Sequence, residues 1–274
     1  MKPDPSIPKV VSIAGVDPSG GAGVLADIKA FSALGAYGCG VIAALTAQNT
    51  LGVTGVHAVP ASFVAQQIDT LFTDVPAAAV KIGMLGQREV TERVAERLAH
   101  WRPPHIVLDP VMIAKSGDSL LEKEAVHALK ETLLPQVNML TPNLPEAGVL
   151  LEERPVETLK EMYRVAEKLR DRMNRGAECW VFLKGGHLPA DDAIDLLFNG
   201  DRMIELPAPR IATKNTHGTG CTLSAALAAL LPQYEVTEAA RRAKSYLWEA
   251  IRQADRLQVG SGHGPVHHFH AWWK

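Results

Sequence analysis

The chain has 274 residues, 47% of them hydrophobic and 21% charged, with a formal net charge of -2; this is the profile of a soluble globular protein with enough chain for a sizeable core, and the absence of a basic cluster interleaved with aromatics excludes a nucleic-acid footprint. No apolar stretch reaches the ~20 residues of a membrane span, and prolines interrupt the opening "MKPDPSIPKVVSIAGVDPSGG" before a signal peptide can form. Three widely spaced cysteines, Cys39, Cys179 and Cys221, fit neither a disulfide framework nor a zinc spacing, so the expected compartment is the reducing cytoplasm, with no membrane partner.

In chain order, "KVVSIAG" reads as a buried strand and "AGVLADIKAFSALGA" as a helix; "CGVIAAL" and "VTGVHAV" follow as short strands. "SFVAQQIDTLFTDV" is helical, "AAVKIGML" a strand, "REVTERVAERLAHW" helical and "HIVLDPV" a strand. "SLLEKEAVHALKETLLP", "VNMLTPN" and "PEAGVLLE" continue the alternation, and a long helix starts at Thr158, where Thr158 and Glu161 have capping-box spacing. Its apolar face is Leu159, Met162, Ala166 and Leu169, and Gly176 is placed to stop it. "CWVFLKGG" is a strand, and "AIDLLFNGDRMIELPAPRI" reads as a hairpin around Asn199-Gly200, expected at the sheet's edge. Helices alternating with continuous apolar strands argue an α/β fold, a mainly parallel sheet covered on both faces. No repeat or linker divides the chain, so it reads as a single domain.

In open sheets of this kind, ligands bind beyond the carboxyl ends of the strands. The strand reading puts Asp17, Asp109, Asn143, Glu146 and Lys184 there. "NTHGTGCTLSAALAALL" (Asn215–Leu231) is a glycine-rich turn opening into a helix. The first amides of a helix lack internal partners and carry its positive dipole end, so this turn suits an anion; a simple tight turn is the alternative. Neither it nor "DPSGGAG" has the spacing of a P-loop or a dinucleotide site. Asn143 and Glu146 also fit a capping box, and Asp109 before Pro110 also serves to end a strand. Lys184, interrupting an apolar strand, must meet an anion or water. Cys221 is either a small buried hydrophobe or a thiol at the anion mouth. The tail "HHFHAWW" reads as a docking segment held by Phe269, Trp272 and Trp273, with metal binding by His267, His268 and His270 as the alternative.

Taken in order, "AGVDPSGGAGVLADIKAFSALGAYG", "LTAQNTLGV", "KIGML", "LDPVM", "KSGD", "TPNLPEA", "LKGGH", "NTHGTGCTLSAALAA" and "GPVHHFHAWW" closely resemble the bacterial hydroxymethylpyrimidine/phosphomethylpyrimidine kinases of thiamine biosynthesis, of the ribokinase-like superfamily. The resemblance implies a three-layer ribokinase-like fold, a central mainly parallel sheet with helices on both faces and a short edge hairpin, as one kinase domain over residues 1–274. It implies ATP-dependent phosphorylation of the aminopyrimidine alcohol and then of its monophosphate, with Mg2+ as cofactor and a homodimer as the assembly. A pyridoxal or dual-specificity kinase is the nearest alternative; a non-catalytic sensor on the same fold and a redox role for Cys221 are the others.

The same resemblance implies that Gln48 reads the aminopyrimidine edge with its amide donor and acceptor, in a pocket lined by Gly15, Ala22, Asp27, Met84 and Val111. Lys184, Asn143, Thr219 and Gly220 would contact ATP, Asp109 and Glu146 would organise Mg2+, and Cys221, Gly218, Gly220 and Lys184 would carry the catalysis. Where this chain has Cys221, many members of the wider superfamily have an aspartate base. A helix N-terminus favours a thiolate, which makes Cys221 one candidate base. Phosphoryl transfer, however, rests mostly on positioning and electrostatics, and the second acceptor, a phosphate monoester, needs little deprotonation. A neutral thiol would not repel that anion as a carboxylate would, so the expectation is that Cys221 reconciles two unlike acceptors.

Overall fold

The run "KVVSIAGV" forms strand β1 (Lys9–Val16), buried at every interior position, as a strand covered on both faces must be. The computed structural model describes residues 7–112, 122–154, 156–173, 179–188 and 192–274. Beside β1 run β2 (Tyr37–Asn49), β3 (Gly52–Ala58), β4 (Ala79–Ile82), β5 (His105–Leu108), β6 (Met139–Leu140), β7 (Trp180–Leu183), β8 (Asp195–Phe198) and β9 (Met203–Leu206). They form one nine-stranded sheet in the order β3-β2-β1-β4-β5-β6-β7-β8-β9. The six strands from β2 to β7 in that order are mutually parallel, and β3, β8 and β9 are antiparallel to their neighbours.

Helices cover both faces. On one, α1 (Gly23–Ala33), α7 (Thr219–Leu230) and α8 (Val236–Arg252) bury Phe31, Leu223, Leu227 and Ala240 against the sheet. On the other, α2 (Ala61–Phe72), α3 (Arg88–Trp101), α4 (Lys123–Ala128), α5 (Leu144–Leu151) and α6 (Leu159–Asp171) bury Ile68, Val94, Leu98, Leu144 and Leu169. In α7 every residue from Thr222 to Leu230 is buried; its alanines let it lie close against α1, α8 and the central strands. Chain order reverses at β1, which has β2 on one side and β4 on the other. Such a switch point opens a crevice at the carboxyl ends of the strands.

The capping box forms as the spacing implied: Glu161 N–H donates to Thr158 Oγ1 at 3.2 Å and Thr158 N–H to Glu161 Oε2 at 3.2 Å. Met162, Ala166 and Leu169 are buried on its inner face, joined by Val165. Gly176, the expected stop, lies outside the described residues. The β8–β9 hairpin is at the sheet's edge, with Asn199 Oδ1 accepting the N–H groups of Asp201 and Arg202. The helix expected from "SLLEKEAVHALKETLLP" continues past α4 through a π turn (Leu129–Leu133) and a 3-10 turn (Leu134–Gln136).

Two expectations need correction. The opposite edge carries a second hairpin: β2 runs on through Asn49 and folds back on β3, with Asn49 Oδ1 accepting Leu51 N–H at 2.8 Å in the turn. The C-terminal tail docks through Val266, His267 and His268, all buried, whereas Trp272 and Trp273 are 68% and 56% exposed. His268 Nε2 lies 3.0 Å from Thr222 Oγ1 on α7, and its carbonyl accepts Tyr246 O–H at 2.8 Å. Phe269 stacks on Trp273 at the surface. Among the described residues, no helix is long and apolar enough to cross a membrane.

Candidate active site

The turn before α7 is built to meet something. Gly218 caps the helix at φ 76°, a left-handed conformation that favours glycine. A Cβ there would also fall 1.7 Å from the carbonyl oxygen of Gly21, so the two glycine-rich turns pack directly on one another. Among the described residues no side chain caps the helix, and Gly218, Thr219, Gly220 and Cys221 all line a cleft of about 480 Å³. A Cβ on Gly220 would lie 3.2 Å from Lys184 Nζ and 3.6 Å from Asp109 Oδ2. The cation and the carboxylate therefore stand at the helix mouth.

Strand ends deliver the charged groups. Asp109 follows β5, and its carboxylate accepts Lys184 Nζ at 3.0 Å, Ser224 Oγ at 3.2 Å and Thr141 Oγ1 at 3.3 Å. Lys184 follows β7 and lies 3.7 Å from Glu146 Oε2. Asn143 and Glu146 do form a capping box for α5: Glu146 N–H donates to Asn143 Oδ1 at 2.8 Å, and Asn143 N–H to Glu146 Oε2 at 2.7 Å. Both nevertheless line the cleft, so the cap and a site role coexist. Burial pushes Glu146 up to about 7, with Asp109 adding to the effect and Lys184 opposing it. Burial works against Asp109 as well, but the ammonium groups of Lys184 and Lys81 outweigh it and hold that carboxyl below its ordinary range. Lys184 is held above its own by Asp109 and Glu146 in spite of burial.

On the other side stand Gly15, Ala22, Gln48, Met84 and Val111, all lining the same cleft. Gly15 N–H donates to the Met84 carbonyl at 3.0 Å, and Met84 Cε fills the space where a Cβ on Gly15 would be. Gln48 sits near the tip of the β2–β3 hairpin, its Oε1 3.1 Å from Thr46 Oγ1. Burial pushes the Cys221 thiol up to about 11, with the Asp27 and Asp109 carboxylates adding to it and Lys81 and the Gly23 N–H opposing. This direction favours the neutral thiol, the form that would not repel an anionic acceptor.

Asp27 is placed differently from the rest. It is fully buried beneath the cleft, where its carboxylate accepts Lys81 Nζ at 2.8 and 3.0 Å and Ser12 Oγ at 2.6 Å. Its partner Lys81 reaches the cleft lining and was not singled out from the sequence. A lysine inside the apolar "AAVKIGML" carried the same signal as Lys184. A second unforeseen pair is His217 and Asp17, with Nε2 and Oδ2 2.7 Å apart. The "KSGD" motif lies outside the described residues.

The chain matches the family described as phosphomethylpyrimidine kinase over residues 17–267. It is 54% identical to the hydroxymethylpyrimidine/phosphomethylpyrimidine kinase of Escherichia coli strain K12, covering 96% of this chain and 98% of that one. The crystal structure of phosphomethylpyrimidine kinase from Clostridium difficile 630 superposes with a TM-score of 0.78 at 39% identity, over 89% of this chain and 99% of the other. The pyridoxal kinase of Staphylococcus aureus in complex with AMP-PCP and pyridoxal gives 0.87 at 30% identity, over 97% and 95%.

Proposed function

As a member of the phosphomethylpyrimidine kinase family, this chain phosphorylates the hydroxymethylpyrimidine alcohol and then its monophosphate in thiamine biosynthesis, and we propose that both steps run in the single cleft at the mouth of α7. The observation that carries this is the two-sidedness of the cleft. A helix N-terminus with Lys184, Asp109 and Glu146 occupies one side and Gln48 and Met84 the other, with Cys221 in the first turn of α7 between them.

ATP is the phosphoryl donor in this reading, in keeping with the AMP-PCP complex of the Staphylococcus aureus neighbour. The amides of Gly220 and Cys221 and the ammonium of Lys184 meet the negative charge of the transferring phosphoryl group; Thr219, whose N–H donates to the Thr216 carbonyl at 3.4 Å, and Asn143 stand beside them. Asp109 and Glu146 fit Mg2+, which binds through one or two carboxylates and takes its remaining ligands from phosphates and water. Among the described residues no cluster of three or more acidic, histidine or cysteine ligands offers a closed metal cage. Bound there, Mg2+ would neutralise charge on the phosphate oxygens.

At the acceptor end, Gln48 holds the aminopyrimidine edge and the hydroxymethyl arm points toward Cys221. The neutral thiol leaves the second acceptor, already an anion, unrepelled. A pyridine alcohol is the second reading, favoured by the likeness to a pyridoxal kinase.

The assembly in this reading is a cytoplasmic homodimer of single-domain chains. The β2–β3 hairpin leaves Leu45, Leu51 and Val56 exposed beside an open strand edge, a surface that a second copy would cover.

The test is ATP consumption with Mg2+ and the pyrimidine alcohol, its monophosphate or pyridoxal offered separately, products being identified by mass. Turnover of both pyrimidines with little on pyridoxal is the expected result. Pyridoxal turnover alone would move the enzyme to the second reading.

A further inference from the structure

The two sides of the cleft belong to segments far apart in the chain, and something must hold them in register. The acceptor side includes the turn 17–23 after β1; the phosphate side is the turn 215–221 before α7. They pack closely, since neither Gly21 nor Gly218 has room for a Cβ: one on Gly218 would fall 1.7 Å from the Gly21 carbonyl oxygen, and one on Gly21 2.4 Å from the His217 ring at Cδ2. Side-chain bonds cross the contact: His217 Nε2 lies 2.7 Å from Asp17 Oδ2, and the Cys221 thiol accepts Gly23 N–H. Asp17 in turn organises its own turn, accepting Ser19 N–H at 2.8 Å, Ser19 Oγ at 2.8 Å and Ala22 N–H at 3.0 Å.

His217 is also gripped from behind. Its N–H donates to the Gly264 carbonyl at 3.0 Å, its carbonyl accepts Val266 N–H at 3.4 Å, and Gly264 N–H donates to Asn215 Oδ1 at 3.0 Å. The same C-terminal segment reaches the tip of the β2–β3 hairpin, where His263 N–H donates to the Thr50 carbonyl at 2.9 Å and Gly262 N–H to Thr50 Oγ1 at 3.2 Å. Thr50 is two residues from Gln48. The hairpin that reads the ring, the turn behind the acceptor and the turn that meets the phosphate therefore all fasten to residues 262–266 and His217.

We propose that His217 is a positioning residue that, clasped by segment 262–266 and bonded to Asp17, sets the distance between the acceptor and the transferring phosphoryl group. This rests on the two-sided reading of the cleft. The physical reason is that phosphoryl transfer depends on near-attack geometry, where misplacement by about 1 Å costs on the order of 10²-fold. His217 acts through its neighbours; removing its side chain leaves the ring-reading and phosphate-binding groups in place and lets the two turns slide.

The experiment is steady-state kinetics on the full chain with ATP, Mg2+ and the pyrimidine alcohol, with thermal melts of each variant. For His217→Ala, kcat is expected to fall by about 10- to 100-fold while KM for ATP and for the alcohol stays within about twofold. His217→Gln, whose amide reaches about as far as Nε2, should recover most of the rate. Asp17→Ala combined with His217→Ala should lose no more than the worse single variant, as expected of two members of one unit. Wild-type kcat in His217→Ala would overturn the proposal, as would losses in the double variant that multiply together with no recovery in His217→Gln. If His217→Ala does not fold, His217→Asn, which keeps a polar amide and falls short of Asp17, takes its place in the same comparison. Wild-type turnover of the pyrimidine alcohol, measured alongside, reports on the cleft reading itself and so separates the two failures.

Discussion

Lys184 and Asp109 are 75 positions apart in the chain, yet Lys184 Nζ and Asp109 Oδ1 lie 3.0 Å apart at the mouth of α7. The pair joins the ends of β7 and β5 and, in the proposed reading, sets the charge of the side that meets phosphate.

Replacing Lys184 with Met is expected to lower kcat for both acceptors alike, by about 10²- to 10³-fold, since it removes a cation from the donor side. It also leaves a buried carboxylate without its cation, a loss of about 3–5 kcal/mol in urea unfolding. Asp109 titrates below its ordinary range in the folded state, so its stabilising contribution is present above the usual carboxylate pKa and fades as pH falls through the lowered one. The stability gap between wild type and Lys184→Met should therefore narrow in acid. A gap that stays constant with pH would count against the pair.

Glu146 has the opposite sign. Its carboxyl is raised from 4.5 to about 7, so the folded protein holds a proton that the unfolded chain releases first. Stability should fall as pH rises through that window, by at most about 1.4 kcal/mol per pH unit. Glu146→Gln should flatten the slope in melts run across the same range. It should also remove the rise of kcat/KM for ATP toward neutral pH, because the ionised form is the one that suits Mg2+. An unchanged pH profile in Glu146→Gln would place the titration elsewhere.

Cys221 is expected to work uncharged. With the thiol pushed up to about 11, Cys221→Ala should keep the first phosphorylation within about tenfold of wild type, where loss of a true general base costs about 10²- to 10⁴-fold. Cys221→Asp should impair phosphorylation of the monophosphate more than that of the alcohol, by about tenfold, through like-charge repulsion. Mass-resolved time courses with each acceptor decide this. Equal losses in both steps would defeat the two-acceptor argument.

The Lys81–Asp27 pair has no exposed surface on either side chain. Lys81→Met alone should destabilise by about 3–5 kcal/mol, because Asp27 is left buried and uncompensated. The double variant Lys81→Met, Asp27→Leu should recover much of that loss, since burying an ion pair is itself costly. Urea unfolding of the three proteins is the measurement. A double variant as unstable as the single would mean that Asp27 is held by more than Lys81.

Local physics made much of this protein readable in one dimension. Alternating strand and helix patterns located the described elements, because periodicity of 2 or 3.6 records which face each short segment buries. The Thr158 and Glu161 cap, the Asn199-Gly200 hairpin and the helix after Gly218 depend on residues within a few positions of each other. Strand ends then placed Asp109, Asn143, Glu146 and Lys184, because a parallel sheet puts those ends on one side. Substrate and donor came from the resemblance of ordered motifs, not from periodicity.

Tertiary structure decided what depends on which distant segments meet. Asp27 was expected in the pocket but turned beneath it, because Lys81, 54 positions away, claims its carboxylate. The thiol at the helix mouth is pushed up by burial and by the Asp27 and Asp109 carboxylates, groups brought to it from distant segments. The tail docked by its histidines and valine, and not its tryptophans, because the space beside Thr222 and Ala250 lies within the fold. His217 and Asp17 meet across 200 positions. Sequence by itself determined the elements, their order and the strand ends that carry the charged groups, since those follow from neighbours along the chain. Which carboxylate faces a cation, which thiol is surrounded by carboxylates and which turns lock together were settled only by folding, because burial and charge act through space.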